Sequence, residues 1–328
     1  METVREPAWH VVWSGKDAST ALSPYLTSLT YADAAHGESD ELTLTLEDAE
    51  GGFLGDWYVT KGDAISAMIG YRNEALVDCG LFEVEEVQFD GPPSTVNIRA
   101  LAAGVSKTLR TGRSRAYEDK TLRQIAKEIA GRHGFTVVGD MADVRLRRVT
   151  QNQEQDLSFL KRLAEQHGHL FSVKGDQLVF ARSGSLTSRA PSCVFDGKTR
   201  ERWTFRDKGV ATYDKAHVAY HDPSSKRLNE HVQSEDSPSG VADTLKITAR
   251  AESGAHAALM SRAALDRAND SRFEGSLTME GNPLAVAGNT VAVAGFGRMD
   301  GVWFIDKSTH TITRGEGYST VLEVKRGA

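Results

Sequence analysis

At 328 residues, 40% apolar and 26% charged, the chain has an ordinary globular composition with room for two or three cores, which excludes one small domain or a disordered chain. The net charge of −6 is uneven: Arg110 to Arg182 holds 14 Lys/Arg against 9 Asp/Glu, and the remainder carries the acidic excess. That balance disfavours sequence-specific nucleic-acid binding or any whole-protein polyanion role and leaves Arg110, Arg113 and Arg115 as a solvated basic face.

Met1 to Pro7 offers acids and a proline where a secretory signal would begin with basic and then apolar residues, so no signal peptide is expected. No apolar run nears the roughly 18 residues of a spanning helix, so no membrane span is expected. Through the first hundred residues apolar and polar positions alternate, as in strands with one buried face. Leu42-Thr43-Leu44-Thr45-Leu46 is the cleanest case; Phe82 and Val84, out of phase with Glu83 and Glu85, continue it, and Val96, Ile98 and Ala100 follow the Gly91-Pro92-Pro93 turn. Short Gly- and Pro-marked turns without crossover helices predict an antiparallel barrel or sandwich.

The pattern changes near Thr111-Gly112. Leu122, Ile125, Ala126 and Ile129 give one apolar stripe, predicting a helix from Lys120 to Arg132 that Gly134 ends. A strand over Phe135 to Val138, a charged connection, a helix over Glu154 to Gln166 and its cap at Gly168 follow. His169 to Val173 and Gln177 to Ala181 flank a Lys174-Gly175-Asp176 turn and read as a hairpin. Ser183 to Ser192 reads as a linker, Trp203 to Arg206 and Ala216 to Tyr220 as strands, Glu230 to Gly240 as a polar mobile loop, and Ser253 to Ala268 as a helix. Phe273, Leu277 and Met279 then open a second β region.

The two β regions read as one module written twice. Gly62-Asp63-Ala64-Ile65-Ser66-Ala67, Gly80-Leu81-Phe82-Glu83-Val84-Glu85 and Ser94-Thr95-Val96 are matched by Gly288-Asn289-Thr290-Val291-Ala292-Val293, Gly301-Val302-Trp303-Phe304-Ile305-Asp306 and Ser319-Thr320-Val321, at offsets of 226, 221 and 225 residues. The expected fold class is α+β, mainly β: two similar antiparallel β-barrel domains, residues 1–110 and 186–328, with a small α/β domain, 111–185, inserted between them.

No catalytic, cofactor-binding or metal residue is assigned. Gly197-Lys198-Thr199 lacks the upstream glycine of a phosphate loop, since that position is Ser192, and Gly295-Phe296-Gly297 lacks the third glycine of a dinucleotide fingerprint. His217 and His221 fall in a strand, which sets them about 13 Å apart, too far for one metal. His167, His169 and Asp176 read as a polar cap beside the hairpin, and Glu83, Glu85 and Glu86 as the wet face of a strand. Cys79 and Cys193 are far apart and form no CxxC pair, so reduced, packed thiols are expected.

Gln155-Asp156-Leu157-Ser158-Phe159-Leu160-Lys161-Arg162-Leu163-Ala164-Glu165-Gln166-His167-Gly168-His169-Leu170-Phe171, followed by Asp176-Gln177-Leu178-Val179-Phe180, closely resembles the signature of contractile-tail hub proteins. These are the late control D proteins, related to the hub half of type VI secretion spike proteins. Thr121 to Ala126 and Gly281-Asn282-Pro283-Leu284 also fit, so the resemblance covers about residues 110 to 328. It implies a homotrimeric baseplate hub in a phage-like particle, tailocin or other injection system, with pseudo-sixfold symmetry towards the tail tube and threefold symmetry towards the spike around a channel. The implied partners are the tube or its initiator, a separate spike chain because no spike extension follows Ala328, the tape-measure protein and the baseplate wedge. Two rivals remain: a tail-associated wall hydrolase using Glu83, Glu85 and Glu86, and a wall-binding module.

Overall fold

A hydrogen-bonded ladder runs from one β region into the other. The computed structural model describes residues 5–36, 39–102, 112–141, 143–182, 190–197, 201–208, 213–222, 227–234, 243–247, 251–270 and 272–326. The first region holds β1 (Pro7–Trp13), β2 (Lys16–Asp17), the single turn α1 (Ser19–Leu22), β3 (Leu26–Ala34), β4 (Glu41–Glu47), β5 (Ala64–Tyr71), β6 (Val77–Asp90) and β7 (Thr95–Ala102). The middle holds β8 (Gly112–Thr121), α2 (Leu122–His133), β9 (Thr136–Gly139), β10 (Arg145–Gln155), α3 (Asp156–Gln166), β11 (His169–Lys174) and β12 (Gln177–Arg182). The last region contains β13 (Cys193–Phe195), β14 (Arg202–Asp207), β15 (Lys215–Asp222), β16 (Arg227–Ser234), β17 (Thr244–Ile247), α4 (Gly254–Asp270), β18 (Phe273–Glu280), β19 (Thr290–Val293), β20 (Gly301–Thr313) and β21 (Gly317–Arg326). The fold is mainly β and largely antiparallel, with helices concentrated in and after the middle segment.

Alternation decides what is buried. Leu42, Leu44 and Leu46 are fully buried in a core shared with Val11, Ile65, Phe82 and Ile98, each worth about 1.5–3 kcal/mol relative to exposure. A second core unites Tyr117, Ile125, Ile129, Phe159, Leu163 and Phe180 of the middle segment, and a third surrounds Trp303 with Phe195, Leu277 and Leu322. Helix α2 starts in a capping box, Thr121 with Gln124, and stops at Gly134, whose φ of 77° suits glycine.

The strand order of the two regions matches. The first runs β1-β5-β6-β7-β4-β3 and the second β13-β19-β20-β21-β18-β14, neighbours bonded in each. Both long central strands carry a bulge at the equivalent place, Glu85 in β6 and Asp306 in β20. The backbone beside each bulge is tied alike: Gly62 N–H to Val84 O (2.8 Å) and Val84 N–H to Asp63 O (2.9 Å), against Gly288 N–H to Ile305 O (2.9 Å) and Ile305 N–H to Asn289 O (2.9 Å). Gly62 and Gly288 both have positive φ, 94° and 86°. The outermost strands differ, since β1 is antiparallel to β5 whereas β13 is parallel to β19.

Three expectations are corrected. Counted from the bulges, Thr95 aligns with Ser319, so the letter match of Ser94-Thr95-Val96 to Ser319-Thr320-Val321 is one residue out of phase; buried Val96 corresponds to buried Thr320 and not to half-buried Val321. The charged connection contains β10, which pairs with β8 although most of its side chains face water, Leu146 and Gln151 being the buried exceptions. Glu230 to Ser234 belongs to β16. Residues 183–189 of the expected linker and 235–240 of the expected loop lie outside the described residues.

Candidate assembly site

The two β regions are joined through β20, which has two neighbours along one edge. Its first half pairs with β19, Thr290 opposite Phe304, and its second half with β3, from Lys307 opposite Ala34 to Thr313 opposite Ser28. The bulge at Asp306 divides the halves, and its carbonyl accepts the Ala35 N–H at 2.9 Å. Inside this seam Tyr31 stacks on His310, ring centroids 5.9 Å apart. His310 Nδ1 lies 2.9 Å from Tyr318 Oη and 3.1 Å from Thr320 Oγ1. Burial pushes His310 down to about 4, so a neutral ring fills the seam at pH 7.

The middle segment clamps the seam with one lysine. Lys174, at the end of β11, donates to Asp33 Oδ1, to Asp40 Oδ1 at 2.7 Å and to the Ala34 carbonyl at 3.0 Å. Asp33 Oδ2 accepts the Ala287 N–H at 2.9 Å, so residues of both β regions and the middle segment meet on this carboxylate. Burial lifts Asp40 to about 6 even beside the ammonium; burial also works against the Lys174 charge, but Asp33 and Asp40 together hold it above its ordinary value. A second tie runs through His36, which accepts the Phe171 N–H on Nδ1 (2.8 Å) and therefore donates from Nε2 to Glu165 (2.9 Å).

One cluster has the look of acid–base machinery. Asp156, fully buried at the start of α3, lies 2.8 Å from His133 Nε2, 2.8 Å from Gln151 Nε2, 3.6 Å from Arg132 and 3.8 Å from Arg113. Burial opposes its charge, but Gln151, His133 and Arg132 together keep the carboxyl below its usual range. Fully shielded from solvent, it ties the first residue of α3 to α2 through His133 and to β10 through Gln151. Asp156 stands in the hub-like segment quoted above, yet its partners are scattered through the sequence and left no local signal.

The candidate residues read from sequence disperse. Glu83, Glu85 and Glu86 are all exposed on β6, with Glu85 at the bulge. His217 and His221 both sit in β15. His167 and His169 are buried; His167 stacks on His256 of α4 at 5.3 Å and contacts the Leu163 carbonyl through Nδ1 at 2.6 Å, while Asp176 occupies the β11–β12 turn. Gly295 and Gly297 lie between β19 and β20, and Cys79 and Cys193 are free thiols. Arg113 and Arg115 project from β8; Arg110, Lys198 and Thr199 lie outside the described residues.

A match to the family model described as "Phage tail baseplate hub (GPD)" covers residues 95–316, about two thirds of the chain. The chain belongs to the phage tail baseplate hub family. It is 26% identical to the probable baseplate hub protein of Escherichia phage 186 across 97% of this chain and 92% of that protein. It is 34% identical to the counterpart in Escherichia phage P2 over 54% of this chain and 46% of the relative. Among solved structures, the 43 kDa tail protein of prophage MuSo2 from Shewanella oneidensis superposes with a TM-score of 0.73 at 17% identity, covering 98% of both chains. An E. coli component of the type VI secretion system shares the fold at a TM-score of 0.55 and 13% identity, over 93% of this chain and 74% of that one. The hub chain is thus a structural component of a phage-type tail.

Proposed function

We propose that the hub chain assembles as a homotrimer in which two tube-like units per subunit, residues 1–110 and 186–328, alternate around a central channel, with 111–185 as the inserted domain. The ring presents six similar faces to the tail tube or its initiator and three to a separate spike chain; the tape-measure protein and baseplate wedge are its further neighbours. Assembly takes place in the bacterial cytoplasm, and the chain works through buried surface and not through a catalytic step. The observation that carries this reading is the repeated strand order with a bulge and a glycine tie at the same place in each copy. One unit per subunit would give a trimer only three equivalent contacts. Light scattering on the purified chain tests it: a trimer, alone or with its cognate spike, is expected, and monomer at every concentration with no binding to spike or tube protein overturns it.

A further inference from the structure

The seam within one chain has an unfilled counterpart. By the matched strand order β14 stands where β3 stands in the first region, and β6 where β20 stands in the second. Yet β3 is covered by β20 on its outer edge, whereas, among the described residues, β14 ends the sheet and β6 beyond its bulge is paired with β7 alone, its other edge being uncovered. The side chains register the difference. Leu29 of β3 is fully buried, while Trp203, its counterpart in β14, is 52% exposed. His310 is buried under Tyr31, while Phe89, its counterpart in β6, is half-buried and stacked by Tyr58, itself 60% exposed.

We propose that β14 of one subunit pairs antiparallel with Glu86–Asp90 of β6 in a second copy of the chain, in the register that β3 and β20 keep within one chain. The proposal rests on the ring reading above and supplies its contact. Transferring the seam through the bulge-aligned numbering sets Glu86 of one copy opposite Lys208 of the next, Gln88 opposite Arg206, Phe89 opposite Phe205, and Asp90 opposite Thr204. Phe89 and Phe205 then take the places of His310 and Tyr31, both pointing to the apolar side. Charge favours the match: Glu85 to Asp90 carries three acids and no base, whereas Arg202 to Lys208 carries three bases, of which Lys208 also pairs with Glu274, and one acid, Asp207, which is engaged by Arg272. Three such contacts and three internal seams join six units into one closed ladder and leave neither edge open.

Cysteine cross-linking tests the register at two exposed positions. In the full chain, Gln88→Cys with Arg206→Cys is expected to oxidise to reducible dimers and a covalently closed trimer, and each single variant to neither. Gln88→Cys with Thr204→Cys, two residues out of register, is expected to link at least about tenfold less, because diagonal neighbours sit roughly 7–8 Å apart, beyond disulfide reach. Ala32→Cys with Thr309→Cys reports on the internal seam, linking within one chain and showing that the fold tolerates the substitutions. A trimer by light scattering without the Gln88–Arg206 link, or with equal linking out of register, overturns the pairing and leaves the ring standing. Linked chains that grow past three overturn the ring and keep the pairing, and monomer throughout overturns both.

Discussion

Replacing Lys174 with Met removes the cation that neutralises Asp33 and Asp40 while leaving its aliphatic stem. Asp33 and Asp40 are 4% and 5% exposed; Asp33 also holds the Ala287 N–H and Asp40 the Ala34 N–H, so neither carboxylate can turn to water without loosening the end of β3. Breaking a buried pair by deleting one partner costs about 3–5 kcal/mol, and that loss is expected from the urea midpoint at pH 8. The loss should shrink with acid. Burial already lifts Asp40 to about 6 with the lysine present, and without Lys174, which pulls that value down, the folded state gains still more from protonating Asp40. As pH falls towards 5 the folded variant takes up protons the unfolded chain does not yet bind, which restores stability relative to wild type. Asp33→Asn and Asp40→Asn added to Lys174→Met should recover most of the deficit even at pH 8. A loss below about 1 kcal/mol that does not change between pH 5 and 8 would refute the clamp, since that is what an exposed pair gives.

Three further outcomes are expected. Trp303→Ala empties the centre of the third core, where the side chain is fully buried, and should cost about 3–5 kcal/mol by chemical denaturation. Gly281→Ala would set a Cβ 2.1 Å from the Tyr318 ring, a rigid neighbour that cannot yield; about 1–3 kcal/mol should be lost, and an unchanged midpoint would mean that the ring moves freely. Burial pushes His169, His256 and His310 down to about 4, below the unfolded value near 6.5. Their stabilising contribution is complete above that value and lost as pH falls from about 6.5 to 4, by at most about 3 kcal/mol each. Asp40, with its raised value, acts in the opposite sense but is one group against three, so the thermal midpoint should fall steadily from pH 7 to 4.5, and a flat or rising profile would count against neutral buried imidazoles.

What could be read from the letters depended on how local its cause was. Leu42, Leu44 and Leu46 announce a half-buried strand because the pleat itself sorts side chains, and Gly134 marks the end of α2 because a left-handed cap is local chemistry, whereas periodicity alone starts that helix at Lys120, two residues before Leu122. Strands β8 and β10 hide because their side chains are mostly polar and wet: backbone pairing, with Tyr117 and Leu146 as inward anchors, holds them together. The block order that the two β regions share in the letters accompanies a matching strand order, but its phase is not legible, since Ser-Thr-Val recurs one residue away from the position the bulge requires. Lys174 looked like one flank of a hairpin turn; its partner Asp33 is 141 residues away in the chain. The same distance problem conceals Asp156 with His133 and the His310–Tyr31 stack.

The seam between β3 and β20 also dictates an order of events on the ribosome. Thr30 and Thr311 touch across it but are 281 residues apart, and at roughly 5–20 residues per second that interval takes about a quarter of a minute to a minute to synthesise. For all that time the outer edge of β3 waits without its cognate strand, exposed to any passing β edge. The nascent hub therefore has its most vulnerable period before the second β region arrives to act as its cover.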